Sequence, residues 1–159
     1  MLNFEIMYTR EEASQLRQKF WTTFGQYMAP VLSAEGLRTN WINYNTRLKH
    51  VNFRMQAGKT TASVAIEISH PDIELQELFY EQFLTLKTML HETMNETWDW
   101  QLHTTDENGK TICRISKTIA PVNVFNKEDW PKLISFFKPR IIAFDEFWSN
   151  AQYSFDELR

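Results

Sequence analysis

The pattern that most constrains this chain lies between Val51 and Ile68, where apolar residues recur at every second position on both sides of a Gly58-Lys59 turn. Val51, Phe53 and Met55 precede the turn; Ala62, Val64, Ile66 and Ile68 follow it. A period of two places each set on one face of a pleated strand, so the segment predicts an antiparallel hairpin with one buried face. A two-residue loop sets Ala57 opposite Thr60 and pairs Val51 with Ile66, Phe53 with Val64 and Met55 with Ala62. In that register His50 lies opposite Glu67 on the polar face, an ordinary cross-strand contact with a pH-sensitive site as the sharper alternative.

The flanking segments change period. Thr9 with Glu12 three positions on is a capping box, and Ala13, Leu16, Phe20, Phe24, Tyr27 and Val31 follow at helical steps, predicting a first helix over residues 9–29 that ends near Pro30. The alternation of Trp41-Ile42-Asn43-Tyr44 predicts a short strand with Trp41 on the face opposite Ile42 and Tyr44. Pro71 stops the hairpin and Asp72 caps a second helix, whose stripe runs through Leu75, Leu78, Phe79, Phe83, Leu86, Met89 and Leu90 to about His91 or Met94.

Trp98, Trp100 and Leu102 then alternate with polar residues, and the Asp106 to Gly109 turn leads into a strand from Thr111 to Thr118. A four-residue loop places Trp100 opposite Ile115 and Leu102 opposite Cys113, with Cys113 facing inward. Asn126, Asp129 and Pro131 start a third helix that Pro139 interrupts, and Ile141, Phe144, Trp148 and Ala151 mark a fourth. The expected fold is one α+β domain over residues 1–159: about five strands in a mainly antiparallel sheet, order α-βββ-α-ββ-α-α, with the helices packed on one face.

Composition narrows the function classes. The chain has 159 residues, 43% of them hydrophobic and 14% aromatic, which suffices for a core without disulfides or metal. Seventeen basic and 20 acidic residues are scattered to a net charge of −3, so charge offers no support for nucleic-acid binding. The single Cys113 reads as a buried small hydrophobe and fits a reducing compartment. Residues 1–10 show no leader pattern and no apolar run reaches membrane length, so a soluble cytoplasmic protein without membrane contact is expected.

Several pieces together resemble a known bacterial family. They are Glu11-Glu12-Ala13-Ser14, Phe20-Trp21-Thr22-Thr23-Phe24-Gly25, Asn40-Trp41, Glu77-Leu78-Phe79-Tyr80-Glu81-Gln82-Phe83, Trp98-Asp99-Trp100, Asn108-Gly109-Lys110 with Arg114-Ile115, and Asn126-Lys127-Glu128-Asp129-Trp130. The chain resembles the bacterial domain-of-unknown-function family 4268 over residues 8–155. The resemblance implies no established activity; some relatives resemble restriction-endonuclease or defence components, an association by analogy.

Catalytic patterns are thin. A helix, three strands, a helix and a strand is also the order of restriction-endonuclease-like nucleases, but the third strand carries Glu67-Ile68-Ser69 where Glu-x-Lys is needed, and residues 50–56 contain no carboxylate. His50, His70, His91 and His103 stand at no metal-ligand spacing, and no Gly-x-Ser-x-Gly, phosphate loop or dinucleotide motif occurs. No cofactor or metal is expected.

What remains is the sheet face opposite the apolar one, where Asn52, Arg54, Glu67, Gln101, His103 and Arg114 are expected to project together. The rings of Phe136, Phe137, Phe144, Phe147, Trp148, Tyr153 and Phe155 exceed one narrow stripe, which points to burial on more than one side and to a homodimer contact. The leading reading is a non-enzymatic module binding an unknown protein or polar ligand through the polar face or an aromatic helical surface. The alternatives are a divergent metal-dependent nuclease and a structural homodimer.

Overall fold

A computed structural model describes residues 9–159. The stretch before Thr9, where no leader was expected, lies outside the described residues. The chain forms helix α1 (Arg10–Met28), hairpin β1 (Val51–Ala57) and β2 (Ala62–Ile68), helices α2 (Ile73–Thr85) and α3 (Lys87–Met94), hairpin β3 (Asp99–Thr105) and β4 (Thr111–Ile119), and helix α4 (Trp130–Ala151). Short 3₁₀ turns precede and follow α4. The sheet is antiparallel throughout, with four strands in the order β1-β2-β4-β3.

The fold is therefore α+β as expected, with four strands rather than five. Residues 41–44 form turns, and Trp41 is buried, its indole N–H donating to the Val31 carbonyl at 3.0 Å. A ring with a satisfied polar edge gains more from the core than from a strand position, so alternation misled here. The two strands, rather than three, that precede the α2–α3 crossover also depart from the nuclease-like order.

The first hairpin keeps its face but slips by two residues. Ala57 pairs with Ala62, Phe53 with Ile66 and Val51 with Ile68, so Gly58 to Thr61 form a four-residue loop closed by Gly58 N–H on the Thr61 carbonyl. An even shift leaves every side chain on its expected side. The longer loop is held from outside, because Val122 and Val124 donate backbone N–H groups to the Thr60 and Gly58 carbonyls. In this register Asn52, not His50, faces Glu67, and the His50 ring lies tilted against His70 with ring centres 4.6 Å apart.

The helices follow their stripes in part: Leu75, Leu78 and Met89 of the expected second stripe are exposed while Gln76 and Tyr80 are buried, and two boundaries differ. Thr9 caps α1 by accepting from Glu12 N–H, and Phe20, Phe24 and Met28 are its buried face, while Tyr27 stays half exposed. The second helix is two, α2 and α3: the Thr85 hydroxyl donates to the Glu81 carbonyl one turn before the break, a bond that bends helices. Conversely, Pro139 does not interrupt α4. Pro139 and Ser135, the residue whose carbonyl loses its partner, lie on the exposed side, while Leu133, Phe136, Phe137, Ile141, Phe144 and Trp148 bury one continuous stripe.

The core lies between the helices and the apolar sheet face. Phe53 of β1 stacks on Phe144 of α4 with centres 4.3 Å apart, and Tyr80 of α2 meets Trp100 of β3 edge-on. Phe136, Phe137, Phe144, Phe147, Trp148 and Phe155 are all buried within the one chain, so the expected surplus of rings is absorbed internally; only Tyr153 stays exposed. Among the described residues no helix packs on the other sheet face.

Candidate binding site

Register places the site residues in one row. Asn52 of β1 pairs with Glu67 of β2, Glu67 with Arg114 of β4, and Arg114 with Gln101 of β3, so the four side chains cross the sheet on its uncovered face. Arg54, two positions along β1 from Asn52, points to the same face over the small Ala65. Five of the six residues expected there are brought together.

His103 is not among them. Gln101 pairs with Arg114 and Thr104 with Ile112, so Leu102 and His103 together oppose Cys113 in a β-bulge, and His103 takes a left-handed φ of 52°. The extra residue turns the imidazole to the helical side, where Nδ1 lies 3.0 Å from Gln76 Oε1, and it leaves Leu102 exposed rather than facing Cys113. A bulge cancels parity, which a period of two cannot foresee.

Glu67 is the hub of the face. Its side chain is 12% exposed, with Oε1 3.3 Å from Arg54 Nη1 and Oε2 3.5 Å from Arg114 Nε. Arg54 also reaches Glu107 Oε1 at 3.4 Å, and Gln56 Nε2 donates to Glu107 Oε2 at 3.5 Å. Arg114 Nη2 donates to the Ser63 hydroxyl at 3.3 Å. The Nε contact with Glu67 is close enough for charge attraction but misaligned, so Arg114 Nε–H is buried without a hydrogen bond among the described residues.

Beneath the sheet edge the bulged histidine joins a different cluster. Gln76, fully buried in α2, donates through Nε2 to the His70 and Thr111 carbonyls and accepts through Oε1 from His103 and from the Cys113 thiol at 3.3 Å. Burial pushes the Cys113 thiol up from its usual range, and His103 stands 3.9 Å away with its Nδ1 committed to Gln76. The cysteine is a packed donor, not a nucleophile.

A cleft of about 400 Å³ escaped the sequence reading. It lies between α4 and the irregular residues 29–50, and its lining includes Arg38, Asn40, Asn43, Tyr44, Arg47 and Asp145. The Tyr44 hydroxyl donates to Asp145 Oδ1 at 2.6 Å and Ala34 N–H to Oδ2 at 2.7 Å, so both oxygens of the buried carboxylate are taken. Burial, then the bond to Asp145, pushes the Tyr44 phenol above its usual range. The signal was present: Asp145 occupies an apolar-stripe position with Ile141, Phe144 and Trp148, where a charge requires a partner.

Among the described residues no three His, Cys, Asp or Glu side chains converge as a metal cage, and no helix is long and apolar enough to cross a membrane. Comparison with family models matches residues 16–152 to the family described as Domain of unknown function (DUF4268). The chain belongs to this family. Comparisons with curated proteins and with solved structures returned no match.

Proposed function

We propose that this member of the family is a non-enzymatic interaction module that docks a polar partner surface on its uncovered sheet face. The observation that carries the reading is the row Asn52–Glu67–Arg114–Gln101, in which Arg114 Nε–H lies against Glu67 Oε2 but is buried without a hydrogen bond among the described residues. Glu67 holds both guanidiniums in place, so a partner carboxylate or carbonyl meets oriented donors without the cost of ordering them. Arg54 and Arg114 are balanced by Glu67 and Glu107, which favours a protein surface over a polyphosphate. A carboxylate held between two guanidiniums is also a poor cation ligand, so the geometry does not favour a nuclease.

Calorimetric titration with an oligoglutamate peptide tests this. Arg54→Ala and Arg114→Ala should each weaken binding by about tenfold, the scale of one charge-assisted hydrogen bond. Binding that both variants leave unchanged, or no binding to the native chain, would refute the reading.

A further inference from the structure

The uncovered face ends at β1, an edge strand, and hydrogen-bond parity shows which of its backbone groups are free. Gly58 N–H bonds the Thr61 carbonyl and Ser69 N–H bonds the His50 carbonyl, so the even-numbered residues of β1 are the ones that ladder with β2. The odd-numbered residues point outward. Val51 confirms the direction, since its N–H bonds the Leu48 carbonyl and its own carbonyl accepts from the Thr46 hydroxyl, both outside the sheet. Beyond Val51 the outward N–H and C=O groups of Phe53 and Met55 make no hydrogen bond among the described residues.

These groups do not face a flat surface. Beside them runs a groove of about 620 Å³, lined on its far side by Trp21 of α1 and by residues 42–45 and on its near side by residues 52–55. Trp21 and Ile42 are half-buried apolar walls, the Asn43 side chain makes no hydrogen bond among the described residues, and Arg54 stands at the sheet-face rim. Edge strands that are not used are ordinarily short, charged, bulged or covered. β1 is seven residues long and regular, and it carries its free groups beside a walled channel.

We propose that this groove receives an extended segment of a partner protein, which adds as a fifth strand against β1. Backbone groups of the segment bond Phe53 and Met55, and its side chains alternate between the Trp21–Ile42 wall and the Arg54 rim. The preferred sequence thus alternates apolar residues with polar or acidic ones. A second copy of β1 is the poorer occupant: pairing centred on Arg54 opposes two arginines, and each copy carries its own wall of residues 42–45 into the space. The groove shares Arg54 with the sheet-face reading but not Arg114, so Arg114→Ala tells the failure of one from the failure of the other.

Amide exchange on the isolated chain comes first, with Phe53 and Met55 expected to exchange faster than Asn52 and Arg54. A displayed library of random linear peptides then supplies the probe. Recovered peptides should show the alternating pattern, slow exchange at Phe53 and Met55 by about tenfold or more, and bind Arg114→Ala as well as the native chain. Met55→Pro removes an outward N–H from an edge position that tolerates proline and should abolish binding. Asn43→Trp fills the groove from an exposed loop and should do the same with β1 intact. Failure to recover peptides, or peptides indifferent to both substitutions, overturns the proposal. So does protection of Phe53 and Met55 that rises with protein concentration alone, which would identify a second copy.

Discussion

The Tyr44 hydroxyl donates a 2.6 Å hydrogen bond to Asp145 Oδ1, joining an irregular segment to α4 across 101 positions of chain. With the indole bonds of Trp41 to Val31 and of Trp148 to the Thr46 carbonyl, it holds residues 29–50 in place without a helix or strand among them.

Tyr44→Phe leaves a buried carboxylate short of one donor, and a loss of about 1–3 kcal/mol is expected in denaturant unfolding. The folded phenol ionises above the usual tyrosine range, so its contribution is full below the unfolded value of 10.0 and declines as pH rises through the higher folded value. Ultraviolet difference titration should show Tyr44 ionising above the ordinary tyrosine range, with Tyr80, which burial raises too, delayed in the same direction.

His91 makes the chain acid-sensitive. Its Nε2 accepts from the Trp100 indole at 3.0 Å and, at 3.4 Å, from Trp98 N–H, which requires a neutral ring. Burial, then Lys87, lowers its pKa, so the unfolded chain takes up a proton first as pH falls below 6.5. Stability present above that value is lost toward the lower folded one. Thermal unfolding of His91→Leu should start lower at neutral pH and fall less steeply in acid; His50, shifted the same way by burial, His70 and Lys49, keeps part of the slope. An unchanged slope would exclude His91 as a source.

Arg140 forks onto Glu96, with Nε and Nη2 each 2.9 Å from a carboxylate oxygen. Arg140→Lys keeps the charge and loses the fork, and about 1–2 kcal/mol of destabilisation is expected because both side chains are about a fifth exposed. A double-mutant cycle with Glu96→Gln separates the pair from its other contacts.

Cys113 should resist a thiol-exchange reagent in the folded chain and react at once in denaturant, as its full burial and raised pKa require. Labelling of the native state at the unfolded rate would contradict the Gln76 cluster.

How much was legible follows from what local pattern encodes. Alternation identified both hairpins and the uncovered face, because parity survives the two-residue slip at Gly58 to Thr61. It failed at His103, where one extra residue reverses parity, and at Trp41, whose turn is held by a bond to Val31 rather than by a neighbour strand. Pro139 read as a stop because the cost of a helical proline is local, while the stripe that outweighs it runs the length of α4. The cleft at Tyr44 and the groove beside β1 depend on contacts between distant segments, of which the lone Asp145 on an apolar stripe was the visible trace.

The central claim is that the uncovered face, not a catalytic centre, is where this chain meets its partner. Nuclear magnetic resonance shift mapping with the oligoglutamate peptide tests it most directly. Shifts confined to Asn52, Arg54, Glu67, Gln101 and Arg114, and needing about tenfold more peptide in Arg114→Ala, are the predicted result; shifts centred on the Tyr44 cleft, or none, would contradict it.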